Sequence, residues 1–304
     1  TPAVIHTEIV KGSTVNIQIA AKGGGSEAKS KFVMLNPSDD IIDWVVKTVP
    51  TMGAGWCPPG ILGIGIGGTA EKAMILAKNS LMEPIDIHKL KERGAKTTTE
   101  KLRLEIYKCV NALGIGAQGL GGLTTVLDVK IKDYPTHAAN KPVAIIPNCA
   151  ATRHTHFTLD GSGPSFQEPP NLEEWPKITW DVGPSAKRIN LDTITPDEIK
   201  NWKTGETLLL SGKMLTGRDA AHKRIQEIIK KGGLMPNGVD FNNRFIYYVG
   251  PVDAIGDEVV GPAGPTTATR MDKFTELMLS ETGLIGMVGK AERGPIAIDA
   301  IKKY

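Results

Sequence analysis

The chain has 304 residues, enough for two domains, and its 40% hydrophobic and 23% charged residues are ordinary for a globular protein. A net charge of +3 without a basic block gives no sign of a nucleic-acid partner. No apolar run reaches the roughly 18 residues of a membrane span, so no membrane partner is expected, and the N-terminus does not resemble a signal peptide. Three cysteines without CxxC spacing argue against a secreted disulfide scaffold and favour a reducing, cytoplasmic location.

The first half of the chain alternates strand and helix patterns. Apolar alternation predicts strands within residues 1–22, separated by a turn at 11–13. Ser38, followed by two acids and an apolar stripe, predicts the N-cap of a helix that ends near Val49. Further strands are predicted over 61–66, 126–132 and 143–146, and helices over 69–82 and 100–112. Cys109 lies on the apolar stripe of the last helix and is interpreted as core filler.

A proline-rich stretch, residues 164–184, separates the two halves and is typical of an interdomain connection. Beyond it, strands are predicted over 188–191, 207–212, 245–249 and 286–288, and helices over 219–231 and 271–281. The prediction is a mixed α/β chain with domains over 1–164 and 188–304, joined by a connecting segment over 165–187. A helical pattern reaches Tyr304, so we expect the second domain to be truncated at its end.

Two glycine-rich runs match the GxGxxG pattern of dinucleotide-binding loops. The first, at 63–68, follows a predicted strand and precedes a helix, and Glu83 and Asp86 stand near the spacing of a ribose contact. Two of its glycines would lie inside the strand, however, so anion binding at the helix start is the favoured functional alternative. The second run, at 114–119, follows a helix and is interpreted as a tight packing loop.

Three residues of the first half are candidates for chemistry. Cys57 lies among Pro and Gly residues and Cys149 closely follows Pro147, which predicts irregular loops, whereas a packing cysteine usually lies on a helix or strand. A thiol on a rigid loop indicates a metal or cluster ligand, or a nucleophile. His137 follows a predicted strand in a proline turn, where it either donates to a carboxylate or lies on the surface.

The second half carries a group of cationic and hydroxyl residues at element ends. Arg218 precedes a predicted helix, where a guanidinium could bind a carboxylate through two hydrogen bonds. Thr266, Thr267 and Arg270 stand before another helix, and such a set forms either an anion site or a simple capped turn. Lys290 follows a strand end. Together these residues predict a site for a small polycarboxylate, with thiolates on one wall.

Five runs of the sequence resemble class I fumarate hydratase, the oxygen-sensitive iron–sulfur fumarase, and they extend over nearly the whole chain. They are GAGWCPPGILGIGIGGTAEKA, GIGAQGLGGLTTVLDVK, DYPTHAANKPVAIIPNCAATRHTHFTLDGSGP, LLSGKMLTGRDAAHKR and VGPAGPTTATRMDKF. The resemblance implies an N-terminal cluster domain followed by a C-terminal swivelling β/α domain, usually in a homodimer. It also implies a [4Fe-4S] cluster with one open iron as Lewis acid, so that water adds to fumarate to give (S)-malate.

The same resemblance implies roles for individual residues. Cys57 and Cys149 resemble two of the three cluster ligands. Thr266 resembles the base that takes the C3 proton, with Thr267 as the alternative. The residues that resemble substrate-binding positions are His137, Arg218, Arg270, Lys290, Gly23 and Gly24.

Two departures qualify the resemblance. The family's first cluster cysteine and its catalytic Asp would precede Thr1, and Cys109 does not fall at a ligand motif, so we expect the central and C-terminal part of a fumarase. The alternatives are a related hydro-lyase, such as L(+)-tartrate dehydratase or mesaconate hydratase, and a cluster-free inactive fragment. The continuous run from the cluster part into the swivelling domain favours a fused, fumarase-type chain over the separate subunits common in tartrate dehydratase.

Overall fold

The computed structural model describes residues 3–151, 153–166, 183–236 and 238–304, together with residues 168, 171, 173 and 179. The chain divides into two compact units, unit 1 over residues 1–177 and unit 2 over residues 178–304. Much of the predicted connecting segment, 165–187, lies outside the described residues. Both units combine helices with small sheets, which confirms the mixed α/β class.

Among the described residues, none of the helices combines the length and the apolar character that a membrane crossing requires.

The strands of unit 1 are β1 (Val15–Ala20), β2 (Lys31–Leu35), β3 (Gly60–Gly67), β4 (Val126–Tyr134), β5 (Lys141–Cys149) and β6 (His154–Leu159). Unit 1 is built on a four-stranded sheet in the order β2-β5-β3-β4, with a separate antiparallel ribbon of β1 and β6. Its helices are α1 (Gly24–Glu27), α2 (Ile41–Thr51), α3 (Ala70–Ser80), α4 (Ile87–Arg93) and α5 (Thr98–Ala112). Strands β3 and β4 are parallel, and β5 runs antiparallel to both β3 and β2.

The glycines of β3 allow α3 to approach the sheet. A Cβ atom at Gly63 would lie 2.4 Å from the Ala77 carbonyl oxygen, and one at Gly65 would lie 1.9 Å from that of Ala73. Successive strand residues face opposite sides, so the intervening Ile64 points into the core shared with α2 and α5. The close packing of α3 on β3 therefore explains the GxG pattern, and no bound nucleotide is needed to account for it.

Three local predictions for unit 1 are wrong. Asp40, not Ser38, caps α2, because its side chain accepts a hydrogen bond from the Asp43 amide at 2.9 Å. Residues 3–14 contain no strand, and Ile9 is fully exposed, because the first apolar alternation finds no neighbouring strand to pair with. Cys109 is only half-buried, since the stripe of α5 centres on Ile106 and Val110 and Cys109 lies at its margin.

The strands of unit 2 are β7 (Lys187–Asn190), β8 (Leu208–Ser211), β9 (Leu215–Thr216), β10 (Phe245–Tyr247) and β11 (Gly286–Val288). Unit 2 contains a parallel three-stranded sheet in the order β11-β10-β9 and a parallel pair, β7 and β8. Its helices are α6 (Pro196–Lys200), α7 (Asp219–Lys230), α8 (Asp272–Thr282) and α9 (Pro295–Lys303). Its core joins the three-stranded sheet to α7 and α8 through Ile225, Ile246 and Phe274.

Candidate active site

Cys57 and Cys149 lie at the same end of the four-stranded sheet of unit 1. Gly60 begins β3 and is the Cα partner of Cys149, which ends β5. Cys57 precedes Gly60 by only three residues. A Cβ atom at Gly60 would lie 2.2 Å from the Asn148 carbonyl oxygen, so glycine permits this close approach. Cys149 is thus a strand residue, not the loop residue that the sequence analysis predicts.

Cys57 has a backbone conformation that disfavours any side chain. Its φ of 62° and ψ of 60° are left-handed, and it follows the 3-10 turn Gly53–Trp56. This conformation costs a non-glycine residue about 1 kcal/mol or more. Its amide donates to the Ala54 carbonyl oxygen over 3.0 Å, which holds the turn closed. A cysteine where glycine would be easier indicates that the thiol itself is needed.

The glycine run Gly23–Gly25, at the start of α1, lies at this same end of unit 1. A Cβ atom at Gly25 would lie 2.9 Å from the Gly55 carbonyl oxygen, so the loop that includes Gly23 and Gly24 approaches the Cys57 turn. Half-buried Lys22 donates to Ser26 Oγ over 3.0 Å and pairs with Glu27 at 2.9 Å. Burial lowers the pKa of Lys22, while the charges of Glu27 and Cys149 act against that change. Lys22 therefore brings a positive charge towards the cysteine end.

The thiols of Cys57 and Cys149 have the chemistry of iron–sulfur ligands, since such clusters are held by cysteine thiolates. Both side chains are half-buried. Within the described ranges, no group of three His, Cys, Asp or Glu side chains is placed to hold a metal ion. The described residues thus fit two positions of a cluster ligand set and do not complete it.

His137 lies at the opposite end of the same sheet. Parallel strands β3 and β4 end together at Gly67 and Tyr134, and His137 lies in the exposed turn that follows. Its Nδ1 accepts a hydrogen bond from the Ala139 amide over 3.1 Å. The rise per strand residue places this end roughly 20 Å from Gly60. Unit 1 therefore does not bring His137 to the cysteines.

In unit 2, the cationic candidates follow the carboxyl ends of parallel strands. Arg218 comes two residues after β9, and Lys290 comes two residues after β11. Gly250 follows the central strand β10 and contacts the Arg218 guanidinium, with an ideal Cβ 3.8 Å from Nη1. Ligands of open α/β sheets bind outside the carboxyl ends of the strands. This edge is therefore the natural binding edge of unit 2.

Thr266 is held at the same edge by backbone hydrogen bonds. Its amide donates to the Tyr248 carbonyl oxygen over 2.7 Å, and its own carbonyl oxygen accepts from the Lys290 amide at 3.2 Å. Arg270 Nη2 donates to Thr266 Oγ1 over 2.7 Å. The structure thus brings Thr266, Arg270 and Lys290 together at the edge that also carries Arg218.

Asp219 is a member of this group that the sequence patterns do not identify. Its Oδ2 lies 3.2 Å from Arg270 Nη2, and it borders two cavities of about 460 and 470 Å³. Arg218 and Gly250 line the first cavity, and Arg270 and Lys273 line the second. Acidic residues are common in the first turn of a helix, so the sequence pattern gave no reason to assign Asp219 to a site. An Arg–Asp dipeptide at a helix start was the available signal.

Comparison with known proteins gives the family. The profile "Fumarate hydratase (Fumerase)" matches residues 1–158, and "Fumarase C-terminus" matches residues 161–304. The chain belongs to the fumarate hydratase family. This result confirms the resemblance to class I fumarate hydratase. The two matches cover nearly all of units 1 and 2.

Relatives of this fumarase-family chain align with its whole length. It is 28% identical to "Fumarate hydratase class I, anaerobic" of Escherichia coli K12 and 29% identical to "Fumarate hydratase 1, mitochondrial" of Leishmania major. The chain spans 57% of the length of each of these relatives. It is also 42% identical, over 49% of its own length and 52% of the relative's, to "Putative L(+)-tartrate dehydratase subunit alpha" of Methanocaldococcus jannaschii.

Proposed function

We propose that this chain supplies much of the active site of a hydro-lyase that reversibly adds water to fumarate to give (S)-malate. The observation that carries the proposal is the hydrogen bond between Arg270 and Thr266 at the carboxyl edge of the unit 2 sheet. It joins a proton-carrying hydroxyl to a carboxylate-binding guanidinium, with Arg218 and Lys290 at the same edge. The two fumarate hydratase family matches, which together cover nearly the whole chain, support the same proposal.

The arginines bind and orient the dicarboxylate. Arg270 uses Nη2 for Thr266 and Asp219, and its Nε and Nη1 make no hydrogen bond within the described part of the chain. A substrate carboxylate that displaced Asp219 would accept from Nη2 together with Nε or Nη1, the two-bond geometry that arginine offers to two carboxylate oxygens. The Arg218 guanidinium likewise forms no ion pair with a described residue and borders the first cavity. A dicarboxylate therefore has one cationic fork available for each end.

Thr266 moves the proton at C3. In the hydration direction its hydroxyl gives a proton to C3 as the water oxygen bonds to C2, and the proton that this water loses restores the hydroxyl. In dehydration its oxygen takes the C3 proton and the C2 hydroxyl leaves as water. A neutral hydroxyl is a weak base, so the donated hydrogen bond from Arg270 and the charge of Lys290 favour the alkoxide form. Half-buried Thr266 is held at its amide and carbonyl, which limits the motion of Oγ1.

The cofactor in this proposal is a [4Fe-4S] cluster, for which Cys57 and Cys149 would supply two thiolates. When bound, its open iron would act as a Lewis acid towards a substrate carboxylate and hydroxyl. Lys22 and the Gly23–Gly24 loop would neutralise charge and line the pocket at that end of unit 1. We also propose that the protein is a homodimer in a reducing compartment such as the cytoplasm, where cysteine thiols stay reduced.

A second function is supported by one specific observation. The identity to the tartrate dehydratase alpha subunit is 42%, although it covers only 49% of this chain. Tartrate, mesaconate and fumarate share two carboxylates, so the paired arginines would accept all three. A hydro-lyase that prefers L(+)-tartrate or mesaconate is therefore the alternative.

The test is an anaerobic assay of the whole protein with fumarate, L(+)-tartrate and mesaconate. We expect fumarate to have the highest kcat/KM, and we expect iron absorbance and activity to decay together in air. Arg270→Lys should raise KM by one to two orders of magnitude, because the fork geometry is lost. Arg244→Lys is the matched control, since Arg244 pairs with Asp192 elsewhere in unit 2. Equal KM values for the two variants, or no turnover of any substrate, would contradict the proposal.

A further inference from the structure

A histidine lies buried in the core of unit 2 beneath the proposed substrate site. His222 on α7 is 1% exposed. Its ring packs edge-on to that of Tyr248, with centroids 5.4 Å apart, and lies 5.6 Å from that of Phe274. Burial lowers its pKa, so the ring is neutral despite the opposing hydrogen bond to Arg218. The ring therefore packs as a hydrophobic side chain with one polar contact.

That polar contact reaches Arg218. His222 Nδ1 lies 2.9 Å from the Arg218 carbonyl oxygen, which can only accept, so Nδ1 carries the proton. The same carbonyl oxygen accepts from the His222 amide at 3.0 Å. Nε2 is buried and has no hydrogen-bond partner within the described residues. An unpaired buried nitrogen is costly, so phenylalanine would suit this core better unless the Nδ1–H group had a purpose.

We propose that His222 is a positioning residue that fixes Arg218 at the start of α7 for substrate binding. The inference rests on the proposed function, in which Arg218 binds a substrate carboxylate. Arg218 has extended backbone angles, φ −131° and ψ −157°, and its side chain leaves the chain just before the first helical turn. Two donors from His222 on one carbonyl group hold that peptide plane, and with it the direction in which the guanidinium leaves the backbone.

The contact with Tyr248 extends the same support to the proton carrier. The Tyr248 carbonyl oxygen accepts the Thr266 amide at 2.7 Å, and the Tyr248 ring packs on His222. Burial raises the pKa of Tyr248 to about 12, so this ring also stays neutral beside the histidine. One neutral, rigid pair of rings thus lies beneath both Arg218 and Thr266.

Two substitutions separate positioning from packing in the whole protein. His222→Phe keeps the ring volume and removes Nδ1–H, so we expect an unchanged or higher Tm and a KM raised on the order of tenfold with kcat within threefold. His222→Asn keeps a donor near the position of Nδ1 and loses ring volume, so we expect a Tm lower by roughly 5 °C and a KM within about twofold of the original. A merely structural residue would not produce this crossed pattern.

Arg218→Ala serves as the reference for the function itself. A His222→Phe variant with unchanged KM, alongside a large KM increase in Arg218→Ala, would overturn the role of His222 and leave the proposed function standing. Unchanged KM in Arg218→Ala would instead contradict the proposed function. If His222→Phe does not fold, nitrogen NMR of the labelled original protein decides: we expect a neutral ring protonated at Nδ1, and a ring protonated at Nε2 would overturn the inference.

Discussion

Arg270 Nη2 lies 2.7 Å from Thr266 Oγ1, so the guanidinium donates to the hydroxyl proposed as the proton carrier. Thr266→Ala should lower kcat about 10²-fold with little change in KM, because general acid–base catalysis has about this size. Thr266→Ser keeps the hydroxyl and should retain most of kcat. Steady-state kinetics of the cofactor-loaded whole protein checks both. If Thr267→Ala loses kcat while Thr266→Ala keeps it, the base is Thr267.

Asp219 holds the guanidinium of Arg270 in the absence of a substrate carboxylate, at 3.2 Å. Asp219→Asn removes that competing charge, and we expect KM for the dicarboxylate to fall about two- to fivefold, as suits a half-exposed ion pair of under 1 kcal/mol. Asp192→Asn breaks the comparable pair with Arg244 and should leave KM unchanged. A higher KM in Asp219→Asn would show that the acid orients Arg270 instead of competing for it.

Cys57 carries a left-handed backbone that glycine adopts without strain. Cys57→Gly should therefore raise the stability of the cofactor-free protein by up to about 1 kcal/mol, and should abolish iron retention after anaerobic reconstitution. Thermal unfolding and iron analysis are the measurements. Cys109→Ser, on α5, is the matched control and should keep its iron. Full iron content in Cys57→Gly would remove Cys57 from the ligand set.

Asp86 lies in a network of buried cations in unit 1. Partial burial acts to raise its pKa, but hydrogen bonds and charges of Arg103 and Lys130 outweigh this and lower the pKa from 3.8 to about 2. A lowered carboxyl pKa stabilises the fold above the unfolded value, and the contribution is lost as the pH falls from about 4 towards 2. Because the side chain is 40% exposed, we expect Asp86 to contribute only about 1 kcal/mol to the free energy of unfolding.

Denaturant unfolding of Asp86→Asn between pH 7 and pH 2.5 measures this contribution. The deficit relative to the original protein should be about 1 kcal/mol above pH 5 and should shrink at the acid end. Asp43→Asn removes an exposed pair with Lys47 and should change little at any pH. A deficit that stays constant across the range would mean that the charge of Asp86 is not its cause.

Local patterns in the sequence were sufficient for the longer helices α2, α3, α5, α7 and α8 and for strands β3, β4, β5, β10 and β11, but they did not predict β2 or β9. The helix predicted over 100–112 forms as α5 because Thr97 and Glu100 make a capping box at its start. The strand predicted over 286–288 forms as β11 with the same bounds. The loop at 114–119 is a packing loop, as expected: Gln118 donates to the Pro58 carbonyl oxygen over 2.6 Å. The residues that determine the start of α5 lie within a few positions of one another, whereas the contact between Gln118 and Pro58 joins segments 60 residues apart.

The sequence by itself therefore determined the α/β class, most element positions and, through its resemblance, the family. Only the tertiary structure decided which residues meet: Cys149 beside Gly60, Asp219 on Arg270, and His222 beneath Arg218 and Thr266. It also separated His137 from the cysteines by the length of β3. The physical reason is that capping and apolar periodicity are local energies, written within one or two turns of chain. Strand pairing and buried polar contacts join distant residues, and no local pattern specifies their partners.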